Sequence, residues 1–211
     1  MTDRATPPIT SRGLRTRETV LAAARLMFEE RGFAETTMSD IAEAARVSHG
    51  TVYTYFGNKE AVLASVVDTL ARDVVVELQV TDDDADDLVG RLEVANQRYL
   101  VAYEKHARLL AVVEHVATVD PHYRVVLEEL RAGFVQRAVR GLRRLQRIGE
   151  ADRALDPQVA GEALCGMVES YARRQTQAGR SVSDPITLAT LNRLWAQAIG
   201  LTRPALNGAP R

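Results

Sequence analysis

Apolar residues recur along this chain at the three- and four-residue spacing of amphipathic helices, and the alternating pattern of strands is absent. Glycine, proline and helix-capping residues divide the pattern into separate segments. The segments predict helices over residues 15–31, 38–45, 49–55, 59–80, 85–104, 106–119, 121–148, 157–178 and 185–202. The fold class predicted from this pattern is all-α.

Local residue choices support these boundaries. Gly32 follows the first helix and can take the left-handed conformation that ends many helices. Thr37 and Asp40 have the spacing and side-chain types of a helix-capping box. Gly149 and Gly179 stand where two later helices should stop. Three helices are each predicted to begin at a proline that follows an aspartate, at residues 120–121, 156–157 and 184–185.

Composition and charge narrow the class of protein. Of the 211 residues, 46% are hydrophobic and 26% are charged, which is ordinary for a globular chain with a sizeable core. The formal net charge of -1 excludes a uniformly basic DNA-coating protein, but not a protein that reads DNA through one positive face. Charge is unevenly distributed, because arginines concentrate within residues 4–17 and aspartates within residues 82–87.

Several kinds of site and location are disfavoured. Cys165 is the only cysteine, so one chain can form neither a disulfide nor a multi-cysteine metal site. There is no apolar run of membrane-spanning length and no signal-peptide pattern, so a cytoplasmic protein without membrane contact is expected. Because no glycine-rich phosphate loop or nucleophile elbow occurs, neither enzymatic activity nor a cofactor is expected.

Metal binding is also disfavoured. The acidic residues 81–87 lack the glycine and terminal glutamate of a calcium-binding loop in register, and are predicted to form a solvated loop before a helix. His106, His115 and His122 do not have the spacing of metal ligands on a helix.

Residues 36–59 carry the most information about function. Their two short helices are separated by Arg46, Val47 and Ser48, which is the spacing of a helix-turn-helix. Val47 and Val52 are among the apolar residues expected to hold the two helices at a steep angle.

The second of these helices is rich in hydrogen-bonding side chains, and only Val52 and Phe56 look like core residues. Hydroxyl and imidazole groups can meet phosphates and base edges, and threonine methyl groups can contact thymine methyl groups. Lys59 opens the next helix, where its ammonium group and free backbone N–H groups can bind phosphate. This composition is expected of a helix that lies in a DNA groove.

Residues 47–59, with the sequence VSHGTVYTYFGNK, resemble the DNA-binding signature of the TetR family of bacterial transcriptional regulators. The preceding segment also matches, from Arg17 through Gly32 to Ile41 and Ala42. The resemblance covers roughly residues 14–62, and the remainder is similar to the family only in its length and helical punctuation.

The resemblance implies an all-helical homodimer, with a three-helix DNA-binding domain and a larger helical domain for effector binding and dimerisation. It also implies a regulator, most often a repressor, that a small-molecule effector releases from a double-stranded DNA operator. We expect this operator to be an inverted repeat. The positions expected to contact DNA are Thr37, Arg46, Ser48, His49, Gly50, Thr51, Tyr53, Thr54, Tyr55 and Lys59.

Base contacts and backbone contacts are expected from different positions in this set. His49, Gly50 and Thr54 are expected to contact base edges. The residues expected mainly at backbone phosphates are Thr37, Tyr53 and Lys59.

Arg46 departs from the family, which usually has glycine at this point of the turn. Two explanations remain open. Either the local geometry differs from the family, or the arginine is retained because it contacts a phosphate, at a cost of about 1 kcal/mol for a left-handed backbone.

The predicted organisation is an arm at residues 1–13, a DNA-binding domain at 14–60, an effector-binding and dimerisation domain at 61–204, and a tail at 205–211. The arginines at the start of the chain have two interpretations. Arg12, Arg15 and Arg17 either solubilise a disordered end or let the arm follow the minor groove. A purely architectural DNA-binding protein would not need the long segment after Lys59.

The candidate effector-pocket residues are Tyr99, Tyr103, His106, Glu114, Phe134 and Glu169. The first three share one helix face, which either lines a cavity or forms a half-exposed stripe. A group of arginines has a similar ambiguity between a solvated face and a site for an anionic effector headgroup. They are Arg137, Arg140, Arg143, Arg144 and Arg147.

Two apolar stripes near the end of the chain could form a dimer interface or pack within their own subunit. Their candidate interface residues are Leu164, Val168, Leu188, Leu191, Trp195 and Ile199. The family resemblance favours the interface, with Trp195 as a central anchor. Cys165, in the first stripe's helix, is expected to be a small buried residue.

Overall fold

A computed structural model describes residues 11–79 and 88–201. Those residues form helices without any strand, which confirms the all-α prediction. The helices are α1 (Ser11–Glu35), α2 (Met38–Ala44), α3 (His49–Tyr55), α4 (Lys59–Glu77), α5 (Leu88–Ala117), α6 (Pro121–Ile148), α7 (Pro157–Gln177) and α8 (Pro185–Ala198). The predictions for residues 1–10, the acidic residues 81–87 and the tail at 205–211 lie outside the described residues.

The described residues divide into two compact units. The first comprises residues 11–72 and 108–120, and the second comprises residues 73–79, 88–107 and 121–201. Helices α4 and α5 each contribute residues to both units. The domain boundary expected after residue 60 remains a prediction.

The first unit encloses an apolar core. Helix α1 is interrupted at Gly32, where φ is 79° and ψ is 170°, a backbone conformation that side-chain-bearing residues rarely adopt. The buried Thr36 hydroxyl donates hydrogen bonds to the carbonyl oxygens of Gly32 (2.7 Å) and Met27 (3.2 Å), which satisfies backbone groups at this break. The fully buried apolar side chains contributed by α1 to α4 include Val20, Phe28, Ile41, Val52, Val62 and Leu63.

The second unit is built around α6, α7 and α8 with the first half of α5. Its core cluster includes Leu100, Phe134, Val139, Cys165, Val168 and Trp195. Helices α6 and α7 approach closely at Gly161, where an added Cβ would lie 2.7 Å from Cγ2 of Val139. Two of the three predicted aspartate caps are present, because Asp156 and Asp184 each accept backbone hydrogen bonds at the starts of α7 and α8, whereas the cap at Asp120 stays a prediction.

One helix boundary was predicted wrongly. The sequence was divided into helices at 85–104 and 106–119, whereas α5 runs without a break for 30 residues. The physical reason is that neither glycine nor proline stands between residues 104 and 106, so nothing there stops a helix. None of the helices in the described ranges combines the length and the apolar character that crossing a lipid bilayer requires.

Candidate nucleic-acid interface

Helix α2 begins at a complete capping box. The Thr37 hydroxyl accepts a hydrogen bond from the Asp40 backbone N–H (3.2 Å), and Asp40 Oδ2 accepts from the Thr37 backbone N–H (2.8 Å) and hydroxyl (2.6 Å). These bonds from Thr37, supported by the nearby Arg31 guanidinium, hold the pKa of the Asp40 carboxyl below its ordinary value. The exposed Thr37 hydroxyl is therefore engaged within the protein, and its predicted phosphate contact stays a prediction.

Arg46 occupies the turn between α2 and α3 with a φ of 55°. Among the described residues it is the only non-glycine residue in this left-handed region. The turn is stabilised by hydrogen bonds from the Arg46 N–H to the Glu43 carbonyl and from the Val47 N–H to the Ala42 carbonyl, each 3.0 Å long. The geometry is thus the left-handed one that favours glycine, so the alternative of a different local geometry is wrong.

Helix α3 is fixed at its start by Ser48. The Ser48 hydroxyl accepts from the Thr51 backbone N–H (3.1 Å) and lies 2.8 Å from the Thr51 hydroxyl. Val52, at 0% exposure, anchors the helix to the core, and the buried Phe56 follows its last turn. The helix is therefore held from one side and from its N-terminal end.

The opposite side of α3 faces outward. His49, Gly50, Tyr53 and Thr54 are exposed, whereas Thr51 and Tyr55 are half-buried. The rings of His49 and Tyr53 lie 4.8 Å apart at an interplanar angle of 58°. The Thr54 hydroxyl donates to the Gly50 carbonyl (2.8 Å), which leaves its oxygen able to accept a hydrogen bond. An imidazole, a phenol and a hydroxyl thus stand together on one exposed helical surface, which we call the α3 surface.

Lys59 has a structural role that its sequence position did not reveal. Its Nζ donates hydrogen bonds to the carbonyl oxygens of Phe33 (2.7 Å) and Ala34 (3.2 Å), and it lies 4.5 Å from the centre of the Phe33 ring. Lys59 therefore joins the start of α4 to the end of α1. An ammonium group has three donors, so a phosphate contact remains compatible with these two bonds and stays a prediction.

The three N-terminal arginines belong to a helix. Arg12, Arg15 and Arg17 all lie in α1, which begins at Ser11 within the stretch that the sequence assigned to an arm. Arg17 donates to the Ser65 hydroxyl (3.2 Å), and its guanidinium lies 5.3 Å from the centre of the Phe56 ring. The helix corrects the disordered arm in which both interpretations placed these residues, and their contact with the minor groove stays a prediction.

The predicted effector residues only partly come together. Tyr99 stacks on Phe134 with ring centres 4.0 Å apart, and the Tyr103 ring lies 6.0 Å from that of Tyr99. Burial, with a further contribution from the negative charge of Glu169, raises the pKa of Tyr99 well above its ordinary value. Glu169 accepts a 2.6 Å hydrogen bond from Arg131. These four predicted residues form one aromatic and acidic cluster in the second unit.

His106 and Glu114 lie outside that cluster. The buried His106 has its Nε2 3.0 Å from Oε2 of Glu77, which also pairs with Lys105. Burial opposes the ionisation of Glu77, but the hydrogen bonds from Lys105 and His106 hold its pKa below the ordinary value. Glu114 belongs to the first compact unit, whereas the other predicted effector residues belong to the second.

The second unit contains a cavity of about 310 Å³, and Phe134 is the only predicted effector residue among the described residues that line it. Asn96, which the sequence analysis missed, lies on its wall. The sequence did contain a signal for Asn96, because Leu92, Asn96 and Leu100 follow one another at four-residue spacing. This spacing places one amide side chain on an otherwise apolar helix face. Trp195 also lines this cavity, although the sequence analysis assigned it to a dimer interface.

Four of the candidate interface residues are covered by the chain itself. Val168, Leu191, Trp195 and Ile199 are between 0% and 5% exposed in a single subunit. They fill the core clusters of the second unit, which favours the alternative that these four residues pack within their own subunit over a dimer interface anchored by Trp195. The half-buried Leu164 and Leu188 remain candidates for contact with a second subunit.

Residues 20–66 match the family described as "Bacterial regulatory proteins, tetR family". This match contains α2, the left-handed turn, α3 and the start of α4. The family match therefore coincides with the helix-turn-helix and with the residues that position it.

Two named regulators are similar to the chain in sequence. The HTH-type transcriptional regulator TtgR of Pseudomonas putida is 27% identical over 172 residues, which cover 75% of this chain and 79% of TtgR. The HTH-type transcriptional regulator EthR of Mycolicibacterium smegmatis is 43% identical over 53 residues, or 25% of this chain and 24% of EthR.

The fold is similar to that of solved regulators. The structure of SmeT, the repressor of the Stenotrophomonas maltophilia multidrug efflux pump SmeDEF, matches with a TM-score of 0.65 and 24% identity. The match covers 92% of this chain and 96% of SmeT. With its helix-turn-helix, its matching family segment and these relatives, the chain carries the DNA-binding domain of the TetR family of bacterial transcriptional regulators.

Proposed function

We propose that this chain is a repressor that binds an inverted-repeat operator as a homodimer and leaves it when a small-molecule effector binds. The observation that carries the proposal is the α3 surface. It presents His49, Tyr53 and Thr54 outward on a helix that Ser48 caps and Val52 anchors. A rigidly held helix with donors and acceptors on its free face is suited to base readout in a major groove.

The relatives support the regulatory direction of this proposal. TtgR and EthR are named as transcriptional regulators, and SmeT is described as a repressor. The cavity in the second unit supplies a place where a small molecule can bind. Repression and its release by a ligand are the combination that these features favour.

A second copy of the chain is supported by exposed apolar residues on the last two helices. On α7, Val159 is 66% exposed, and on α8, Ile186 and Leu194 are 80% and 45% exposed. Ile186 and Leu194 are eight residues apart, a spacing that falls within one broad stripe of α8. We propose that these exposed residues, together with the half-buried Leu164 and Leu188, meet their equivalents in a homodimer.

The proposed release mechanism follows from two-fold symmetry. Two copies of α3 must lie about 34 Å apart to enter successive major grooves. An effector that binds better to a dimer with another spacing lowers operator affinity, and only its differential affinity for the two shapes can do so. Effector and operator then weaken each other's binding by the same factor.

The test is a fluorescence anisotropy titration of labelled DNA from immediately upstream of the chain's own gene, with scrambled DNA as competitor. The variant His49→Ala/Thr54→Ala removes two exposed side chains from the α3 surface. We expect it to bind the upstream DNA about 100-fold more weakly, because each lost base contact costs about 1–3 kcal/mol. Its affinity for scrambled DNA should change little, since phosphate contacts supply non-specific binding.

Gln136→Ala is the matched control, because Gln136 is exposed on α6, in the other compact unit. It should bind as the wild type does. If the α3 variant prefers upstream DNA over scrambled DNA as strongly as the wild type does, the assignment of base readout to this surface is contradicted. Equal wild-type affinity for upstream and scrambled DNA would contradict repression from this site.

A further inference from the structure

The cavity of the second unit has walls of two chemical kinds. Helices α5, α6 and α8, with one residue beyond α4, contribute an apolar surface. Its larger members are Leu78, Leu92, Phe134, Leu142, Leu145, Trp195 and Ile199. The lining also includes the four arginines Arg91, Arg137, Arg140 and Arg144. A partly open apolar cavity whose lining includes guanidinium groups can bind a molecule that has an apolar body and an anionic group.

Two buried polar atoms on the cavity residues lack hydrogen-bond partners. Asn96 and Trp195 are each 1% exposed, and neither Asn96 Oδ1 nor Trp195 Nε1 has a partner in the described part of the chain. The Asn96 amide nitrogen is engaged, because it donates to Asn192 Oδ1 at 2.9 Å. Both atoms are themselves buried beside the cavity, and a buried acceptor and a buried donor without partners are unfavourable.

The three cavity arginines of α6, Arg137, Arg140 and Arg144, have no acidic partner among the described residues. The ion pairs found there involve other basic residues, and no carboxylate oxygen lies within 4.0 Å of Arg137, Arg140 or Arg144. Arg137 is half-buried, whereas Arg140 and Arg144 are exposed at the mouth of the cavity. Burial, together with the positive charge of Arg140, lowers the pKa of Arg137. A half-buried guanidinium beside a second cation is stabilised by an arriving anion.

We propose that this cavity binds an amphipathic organic anion, whose carboxylate or phosphate contacts Arg137 and Arg140 and whose apolar body packs between Phe134, Trp195 and Leu142. This inference rests on the proposed function only in treating the anion as the effector. The sequence analysis left the arginines of α6 open between a solvated face and an anion site. The shared cavity lining of Arg137, Arg140 and Arg144 favours the anion site.

The volume limits the size of the ligand. A cavity of about 150 Å³ is enough to hold benzene, so about 310 Å³ holds a body roughly twice as large. It lies at the lower end of the range for small-molecule sites. A medium-chain acid or a small aromatic acid fits this description.

Trp195 provides a direct signal for the test, since it is the only tryptophan in the chain and lines the cavity. The full chain is titrated without DNA with octanoate, octyl phosphate and neutral octanamide, by Trp195 fluorescence and by calorimetry. We expect at least one anion to bind tenfold or more tightly than octanamide. The better anion identifies whether the headgroup is a carboxylate or a phosphate. Octanamide binding as tightly as both anions, or no change in fluorescence or heat with any probe, would overturn the proposal.

An arginine pair on α6 tests the headgroup contact. Arg137→Gln should weaken binding of the better anion about tenfold and leave octanamide binding unchanged. Arg143→Gln is the matched control, because Arg143 lies on the same helix but does not line the cavity. It should bind the anion within twofold of the wild type. Equal affinities of the wild type and Arg137→Gln would overturn the headgroup assignment.

A glycine pair on α6 tests the apolar chamber without removing any charge. Gly141 lines the cavity, and a Cβ added there meets nothing within 4 Å, so Gly141→Leu can begin its side chain in open space and add apolar volume at the cavity. We expect it to abolish binding of the anions and octanamide alike. Gly133→Leu is the control, because Gly133 is also open to a Cβ but lies outside the cavity lining. Both replace a mid-helix glycine, which favours folding. Anion binding that Gly141→Leu does not change would place the ligand elsewhere and overturn the proposal.

The proposed function and the anion site are tested by two different measurements. Ligand binding is read here without DNA, whereas repression is read from operator binding. If the anion binds in the cavity but operator affinity is the same with and without it, the ligand class stands and the effector role is contradicted. If no operator is bound at all, the proposed repression fails and the anion site is still tested by the titrations.

Discussion

Arg46 shows how a residue choice in one turn connects backbone strain with DNA binding. Its φ of 55° is a conformation that costs a residue with a side chain about 1 kcal/mol. The side chain is exposed, and no ion pair satisfies it in the described residues. An arginine beside the recognition helix can offset this cost when it contacts a phosphate, since such contacts dominate DNA affinity.

We therefore predict that Arg46→Gly keeps or raises stability but weakens DNA binding. Relief of the left-handed strain favours the glycine variant, and the larger entropy of its unfolded chain partly offsets this gain. The free energy of unfolding, from urea denaturation, should rise by between zero and about 1 kcal/mol. Affinity decreases as salt increases, and the magnitude of the slope of log affinity against log salt should decrease by about one in the variant. A clear drop in unfolding free energy would contradict the strained turn.

Cys165 is expected not to react with thiol reagents in the folded protein. Its thiol is 1% exposed, and burial, reinforced by the negative charge of Glu169, raises its pKa to about 12. At pH 8 the group is then a protonated thiol, which is a poor nucleophile. A thiol-reactive reagent should not label the native protein at pH 8 and should label one thiol per chain in guanidinium chloride. Rapid labelling of the native protein would show that the surrounding core opens.

At the scale of elements, local residue chemistry made most helix starts predictable from the sequence. Ser48, Asp156 and Asp184 cap helices where their side chains suggested, because a cap depends only on neighbouring residues. Lys59 could not be interpreted in this way. Its partners, the carbonyl oxygens of Phe33 and Ala34, are more than twenty residues away in sequence.

We predict that Lys59→Met lowers the free energy of unfolding by about 2 kcal/mol. The variant loses the charge-assisted hydrogen bonds of one ammonium group to two backbone carbonyls, which join α1 to α4. One such bond contributes about 1.5–3 kcal/mol, and because Lys59 is only half-buried we expect the pair to contribute no more than one buried bond would. Arg15→Met is the control, because Arg15 is exposed on α1. Its unfolding free energy should change by less than about 0.5 kcal/mol. Unchanged stability of Lys59→Met with a large loss of DNA affinity would instead place the main role of Lys59 at a phosphate.

At the scale of the molecule, apolar spacing alone did not distinguish the core from an interface. Leu191 and Trp195 have the helical spacing expected of either, and both are buried inside one subunit. A periodic stripe identifies which side of a helix is apolar, but the partner that covers it depends on long-range packing. The cavity was unpredictable for the same reason, since it is formed by residues from α5, α6 and α8.

The exposed apolar face of α8 gives a prediction about assembly. Leu194→Glu places a charge on that face and should convert a dimer to a monomer in sedimentation velocity, because a buried unpaired charge is strongly unfavourable. Operator affinity should fall with it, since each monomer contacts only one half-site. Val125→Glu, which changes an equally apolar and exposed residue on α6, should remain dimeric. A dimeric Leu194→Glu protein would show that the subunits meet elsewhere.

The central claim is that two copies of this chain read a specific DNA sequence through their α3 surfaces. Selection of the purified full chain against a random double-stranded DNA library tests it without knowledge of the operator. The account predicts enrichment of an inverted repeat whose half-sites are centred about 10 base pairs, or a multiple of one helical turn, apart. The His49→Ala/Thr54→Ala variant should not enrich that repeat. Recovery of unenriched sequences by the wild-type protein, or of the same repeat by the variant, would contradict the account.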